Sequence, residues 1–371
     1  MRRIAVLLML MLILMMPGAS ASEALTVAAK GAVLIDGASG RVLFSQNADA
    51  QYPMASTTKV MTTLLALENA ALDETVTAGK NAAGVTGTSL YLSEGEKLSM
   101  EHMLYGLMLR SGNDAAVAVA EHIAGSVPAF ADMMNARAAE LNADAHFVNP
   151  HGLDADGHAT SALGLARIMR EAMKNETFRT ITGTKRKVIP WVGNEYSRVL
   201  ENKNRLLTTY EGATGGKTGY TSKAGRCLVF SAKRDGLELI GALLNCPTWF
   251  DTAEAMLDYG FDNFRLEQAY APGEVVRALP VLNGAKRTVD VAAAEGLSGA
   301  VRIGAPVDVT ITLPDQAEAP VRAGDILGTA AIKSDGVVIA QCDLVAVDTV
   351  EKPDIRQAFK RLLRNWTLLF R

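Results

Sequence analysis

"PMASTTKVMTTLLALE", residues 53 to 68, sets a hydroxyl and an ammonium three positions apart at the head of an apolar helical run. One helical turn puts Ser56 and Lys59 on the same face, where their side chains can touch. At a helix start, free backbone N–H groups and the helix dipole favour negative charge on the serine oxygen, and Lys59 is placed to take its proton. An N-cap serine beside a lysine that snorkels to solvent accounts for the same spacing. A chain of 371 residues should hold about one S-x-x-K by chance at ordinary composition, so this motif alone decides nothing.

The surrounding chain reads as two domains. "AVLIDGASGRVLFSQN" is a hairpin around Gly-Ala-Ser-Gly. From about 69 to 175 the chain reads as mostly helical, with apolar residues three and four apart in "EHMLYGLMLR", "DAAVAVAEHIAG", "SVPAFADMMNARAAELN" and "TSALGLARIMREAMKN". Strands return near 187 to 198 and around Lys217. "RCLVFSAKRDGLELIGALL" is a hairpin turning at Lys233 to Gly236, and "DTAEAMLDYGFDNF" closes the segment as a helix. After about 265, short alternating strands punctuated by Gly, Pro and Asp read as a separate small β domain.

Both ends carry a message. Arg2 and Arg3 precede an apolar run from Ile4 to Met16, then Pro17 and Ala19-Ser20-Ala21, the pattern of an export signal cleaved after Ala21. The run is shorter than the roughly twenty residues a bilayer-spanning helix needs. At the other end, "KPDIRQAFKRLLRNWTLLFR" puts Ile355, Phe359, Leu362, Leu363, Trp366, Leu369 and Phe370 on one side of a helix and five cations on the other. Such a helix suits an anionic membrane surface, where each cation contributes roughly 1 kcal/mol; docking on the protein's own core is the alternative. The body from 22 to 349 carries 38 acidic and 29 basic residues, which argues against nucleic-acid binding. Cys227, Cys246 and Cys342 form no C-x-x-C, and Cys227 reads as a small hydrophobe in a strand.

Two more short motifs follow Ser56 in a set order. "SGND" places Ser111 and Asn113 between helical runs, where it also serves as ordinary loop chemistry. "GGKTGYT" places Lys217, Thr218 and Gly219 at the start of a hydrophobic strand, as a turn or as an edge that holds substrate and offers an ammonium to a carboxylate. S-x-x-K, S-x-N and K-T-G, separated by 55 residues from Ser56 to Ser111 and 104 from Asn113 to Lys217, form the signature of serine penicillin-recognising enzymes.

On these residues the chain resembles the serine-type D-alanyl-D-alanine carboxypeptidases, the low-molecular-mass penicillin-binding proteins. The likeness runs from about residue 28 to the end and includes "FVNPHGLDADGH", "GGKTGYTSKAGRCLVFSAKRDGLELI" and "MLDYGFDNF". It implies an α/β fold: a penicillin-binding, β-lactamase-like domain, with an antiparallel sheet and a helical subdomain, then a small all-β domain and a C-terminal amphipathic helix. The expected division is a signal at 1–21, the catalytic domain at 22–265, the β domain at 266–349 and the anchor at 350–371.

The resemblance implies hydrolysis of the terminal D-Ala-D-Ala bond of peptidoglycan stem pentapeptides at the outer face of the bacterial cytoplasmic membrane, with β-lactams as inhibitors and no cofactor or metal. It casts Ser56 as nucleophile, Lys59 as base and Ser111 as proton relay to the departing D-Ala. Asn113 hydrogen-bonds the peptide and helps place Lys59; Lys217 and Thr218 hold the terminal carboxylate beside Gly219, and the backbone N–H groups of Ser56 and Tyr220 form the oxyanion hole. It implies nothing about oligomeric state. Gly164, where the family usually has Asp, and "NCPTWFDTAEAML", which lacks the family's basic residues, depart from the pattern and bear on substrate fit.

A lysine works as a base only when neutral, so its pKa has to fall by about three pH units, roughly 4 kcal/mol. Burial and a second cation supply that, and Lys217 is the candidate cation. The five histidines include no H-E-x-x-H, which argues against a zinc peptidase. The Glu-x-x-x-Asn match between Asn113 and Lys217, Glu171 to Asn175, falls in the helical run "TSALGLARIMREAMKN" and not in a loop of the class A β-lactamase kind. A D,D-endopeptidase that cuts cross-links and a catalytically silent penicillin-binding scaffold remain as alternatives.

Overall fold

The computed structural model describes residues 25–354. The signal expected at 1–21 lies outside them, as does the terminal helix beyond its first residues. Val350 still pairs with Val321 as a β-bridge, so the chain is extended where that helix was expected to begin.

Strands β1 (Gly31–Asp36), β2 (Val42–Gln46), β3 (Ala213–Thr221), β4 (Gly225–Arg234) and β5 (Leu237–Leu244) form one antiparallel sheet in the order β2-β1-β5-β4-β3. The β4–β5 turn is Asp235-Gly236, both left-handed at φ 47° and 83°, which matches the twist of the two strands and falls inside the expected turn. β3 is the edge strand, and its free side faces the helices.

Alternation along the strands sends side chains to two cores. Val33, Ile35, Val229, Ile240 and Ala242 pack with the helices on one face. Ala32, Leu34, Leu228, Phe230, Leu239 and Leu243 pack on the other, against α7 (Trp249–Asn263) through Met256 and Leu257. A sheet buried on both faces gains roughly 1.5–3 kcal/mol for each large apolar side chain covered, which fixes its register firmly.

The helical layer holds α1 (Lys59–Asn69), α2 (Met100–Tyr105), α3 (Asn113–Ala124), α4 (Val127–Glu140), α5 (Ala162–Ala172) and α6 (Glu176–Gly183). A single π-turn, Gly106–Arg110, extends α2. The four periodic stretches are helical as expected. Residues 70–99 are not: they hold only the short strand pair Thr75–Thr77 and Lys97–Ser99 within an irregular segment. Gly84, Gly87 and Gly95 there take left-handed backbone that a helix excludes, and the apolar residues lack a 3.6-residue period.

Beyond α7, β6 (Phe264–Tyr270) pairs with β9 (Leu297–Arg302). β7 (Val275–Leu282), β8 (Thr288–Ala293), β10 (Val307–Thr312), β11 (Ile326–Ser334) and β12 (Val337–Ala346) join residues 317–318 in a second sheet around a separate core that includes Val291, Val301, Ile332 and Leu344. This all-β domain is tied to the first by the buried carboxylate of Asp36, which accepts the Ala300 N–H at 2.9 Å, and by Arg41, which donates to the Ala300 carbonyl at 2.8 Å. All three cysteines are free and buried.

Candidate active site

Ser56 lies in a single 3-10 turn, Ala55–Thr58, and α1 begins only at Lys59. The residue that caps α1 is Thr58, without a side-chain capping bond, so the N-cap reading of Ser56 does not hold. The snorkelling reading fails too, because Lys59 is 0% exposed.

The Lys59 ammonium has three neighbours: Ser56 Oγ at 2.9 Å, Asn113 Oδ1 at 2.8 Å and the His151 carbonyl at 2.5 Å. Asn113 is oriented by its own Nδ2, which donates to the Thr86 carbonyl at 2.7 Å and so turns Oδ1 toward the lysine. Two of the three neighbours are carbonyl oxygens, which only accept. A neutral amine keeps two N–H groups for them, and its lone pair is then left for the Ser56 hydroxyl.

Strand register supplies the second cation. Lys217 stands opposite Val229, and Gly219 opposite Cys227, both on the helical face of the sheet. Lys217 is buried and donates to the Thr218 carbonyl at 2.8 Å. Burial first, then the nearby Lys217 and Lys203 ammoniums, hold Lys59 well below the usual lysine range, against a smaller opposing pull from Asp114. Burial and Lys203 bring Lys217 itself down to about 7.

Ser111 ends the π-turn in a left-handed conformation, φ 67°, and its carbonyl accepts from Thr88 Oγ1 at 2.6 Å. π-turns concentrate at functional sites because the extra residue re-aims the helix end. Here it delivers Ser111 to the wall of a cavity of about 410 Å³, also lined by Ser56, Asn113, Lys203, Thr218, Gly219 and Tyr220. The structure thus gathers every motif residue into one pocket, with Lys59 and Lys217 buried behind its wall.

The pocket floor is backbone laid on backbone. A Cβ on Gly219 would lie 2.8 Å from the Ser56 nitrogen, and one on Gly152 only 1.9 Å from the Ala55 carbonyl oxygen. Ala55 itself takes φ 48°. His158 supports that strained turn. Its Nδ1 accepts the Val148 N–H, so Nε2 carries the proton toward Thr58 Oγ1 at 2.8 Å, and Thr58 donates to the Ala55 carbonyl. Burial pushes His158 down to about 4 and His151 to about 3, so both stay neutral.

Comparison with known proteins follows the same division. The D-alanyl-D-alanine carboxypeptidase family model matches residues 18–248, and the model for the C-terminal domain of penicillin-binding protein 5 matches 264–352. The chain belongs to the D-alanyl-D-alanine carboxypeptidase family. D-alanyl-D-alanine carboxypeptidase DacF of Bacillus subtilis is 33% identical over 353 residues, 91% of this chain and 90% of that protein. DacC of Escherichia coli is 31% identical over 351 residues, 89% and 86% of the two chains. A solved structure of penicillin binding protein 5 from Haemophilus influenzae superimposes with a TM-score of 0.77 at 29% identity, covering 88% of this chain and 98% of its own.

Against that carboxypeptidase frame, one of the two departures concerns the pocket and the other does not. Trp249, from "NCPTWF", lines the cavity. Gly164 sits in the first turn of α5, where its N–H donates to Ser161 Oγ and a Cβ would come within 2.8 Å of the Asp144 carbonyl oxygen. Its smallness serves packing, which corrects the expectation of a role in substrate fit. Two contributors escaped the sequence reading. Lys203 lies in "ENKN", a stretch with no motif, fixed by Asn202 bonds to the Thr182 and Thr184 carbonyls and an Asn204 bond to the Gly215 carbonyl. The loop "FVNPHGLDADGH" enters the sequence reading only as part of the resemblance, with no role of its own, yet it carries the His151 carbonyl that bonds to Lys59.

Proposed function

We propose that this carboxypeptidase hydrolyses the terminal D-Ala-D-Ala bond of peptidoglycan stem pentapeptides through an acyl ester on Ser56. The observation that carries the reading is the coordination of Lys59, two carbonyl acceptors and one hydroxyl around an amine whose pKa is lowered by burial first and then by two nearby cations. Neutral Lys59 takes the Ser56 proton as Oγ attacks the carbonyl of the penultimate D-Ala. The backbone N–H groups of Ser56 and Tyr220 receive the developing oxyanion, each worth roughly 3 to 4 kcal/mol in comparable hydrolases. Ser111 passes a proton to the departing D-Ala, whose carboxylate rests against Thr218, Lys217 and Lys203. Asn113 holds Lys59 and the peptide, and water then cleaves the ester.

β-Lactams acylate Ser56 in the same way because they imitate the peptide at the edge strand. In this reading residues 22–265 act as the catalytic domain and 266–349 as a stalk. Export through residues 1–21 and the basic amphipathic stretch at 350–371 bring the enzyme to the outer face of the cytoplasmic membrane. The test is incubation with a fluorescent penicillin and with a D-Ala-D-Ala pentapeptide. Label on Ser56 with free D-Ala as product supports the reading; label on another residue, or D-Ala release by Ser56→Ala, overturns it.

A further inference from the structure

One wall of the catalytic pocket has no role in the reaction above, and strand register shows which. Thr218 stands opposite Leu228 and Tyr220 opposite Arg226, so Thr218 and Tyr220 leave β3 on the Leu228 face. That is the face covered by α7, away from the helical layer that buries Lys217. α7 opens with Trp249, which lines the cavity of about 410 Å³ together with Thr218, Tyr220 and Thr221. Two aromatic residues therefore stand at the end of the pocket where Thr218 receives the terminal carboxylate.

Trp249 is held in place rather than loose. Its ring packs on that of Phe250 with centroids 4.9 Å apart, and the Arg226 guanidinium lies 5.8 Å from its centre. Arg226 also donates to the Pro247 carbonyl at 2.7 Å, so this cation is engaged with the ring and the backbone beside it. "NCPTWF" itself carries no basic residue. Positive charge for the carboxylate comes instead from Lys203 and from Lys217 on the other face of β3, which leaves the α7 side of the pocket aromatic. Tyr220 is 65% exposed, so much of its ring is open to whatever enters.

A departing D-Ala offers this wall a single methyl group. We infer that Trp249 and Tyr220 select the residue that leaves, and that the enzyme releases a D-amino acid with a long unbranched apolar side chain, of the D-methionine kind, in preference to D-Ala. A residue whose carboxylate rests on Thr218 carries its side chain within reach of the same wall. A longer chain covers ring surface that a methyl leaves wet, and one methylene in an apolar pocket changes kcat/KM roughly 10- to 200-fold. An unbranched thioether adapts to the gap beside two rings and gains a sulfur–aromatic contact. The chemistry is unchanged: Ser56 Oγ bonds to the acyl carbon of the penultimate D-Ala, the amide C–N bond breaks, the larger amino acid leaves with the proton relayed by Ser111, and water hydrolyses the ester. The inference rests on the carboxypeptidase reading and widens its leaving group.

The test measures kcat/KM for two stem pentapeptides that differ only in the fifth residue, D-Ala or D-Met, by quantifying the amino acid released. The native enzyme is expected to favour D-Met about tenfold, the low end of that range because the wall is open to solvent. Trp249→Ala and Trp249→Arg are the variants, and fluorescent penicillin on Ser56 reports that each is folded. In both, the ratio of D-Met to D-Ala release should fall close to unity, whereas a role confined to packing would lower both rates together and leave the ratio in place. Release of D-Ala by the native enzyme at least as fast as D-Met overturns the inference and leaves the carboxypeptidase reading intact. A preference for D-Met that survives both variants overturns the assignment to Trp249. Turnover of neither peptide overturns the underlying reading and this inference with it.

Discussion

Gly219 lies so close to Ser56 that a methyl group on its α-carbon would stand 2.8 Å from the serine nitrogen and 3.0 Å from that of Thr57. Both neighbours are backbone, which cannot swing aside as a side chain end can. The edge strand is thereby pressed against the 3-10 turn, next to Tyr220, whose N–H is proposed with that of Ser56 to receive the oxyanion. Gly219→Ala is expected to slow penicillin acylation at least 100-fold, the scale of losing one oxyanion donor, with a smaller effect on melting temperature. Stopped-flow acylation at the native rate would contradict this packing.

The pair of buried lysines predicts a bell-shaped pH dependence of kcat/KM. Acylation needs neutral Lys59, so the rate falls as pH drops through its lowered pKa. Carboxylate binding favours charged Lys217, so binding weakens as pH rises through about 7 in the free enzyme. Lys203 depresses Lys59 as a like charge, and removing it raises the Lys59 pKa. Lys203→Gln should therefore move the acidic limb of the profile to higher pH. A limb that stays in place, or moves to lower pH, excludes that role.

These two cases also show where sequence reading succeeds and stops. The S-x-x-K, S-x-N and K-T-G residues were legible because their chemistry constrains both type and order, and the helices because their apolar faces repeat every three or four residues. Lys203 was not, since its influence acts through space from a stretch whose asparagines bond to backbone and leave no pattern. The His151 contribution was invisible for a related reason: it is a main-chain carbonyl, which any residue supplies. Residues 70–99 were misread because the surrounding helical periodicity was carried across a glycine-broken segment.

The joint between the domains offers a third test. Asp36 accepts from the Ala38 and Ser39 N–H groups, the Ser39 hydroxyl and the Ala300 N–H across the boundary. Asp36→Ala leaves the buried Ala300 N–H without its acceptor, at about 1–3 kcal/mol, while the more exposed Ala38 and Ser39 donors can turn to water. The variant should unfold at lower denaturant concentration and be cut more readily by protease between residues 264 and 302, while penicillin still labels Ser56. Unchanged proteolysis in that stretch would show that Asp36 does not hold the domains together.

The neutral His158 beneath Ala55 makes stability depend on pH in a direction that can be worked out. Burial is the main cause of its descent to about 4, aided by His146 and Lys59 and opposed by Asp154. In the unfolded chain the ring titrates near 6.5. Between about pH 6.5 and 4 the unfolded state therefore holds a proton that the folded state lacks, and stability rises with pH across that window. The contribution is complete above 6.5 and is lost as pH falls toward 4, up to about 3 kcal/mol in total. Urea midpoints measured across this range should fall with acidity, and His158→Gln should flatten the slope by about one proton's worth, roughly 1.4 kcal/mol per pH unit. An identical slope in the variant would mean that His158 is protonated in the folded protein, and the Val148 N–H would then have lost its acceptor at Nδ1.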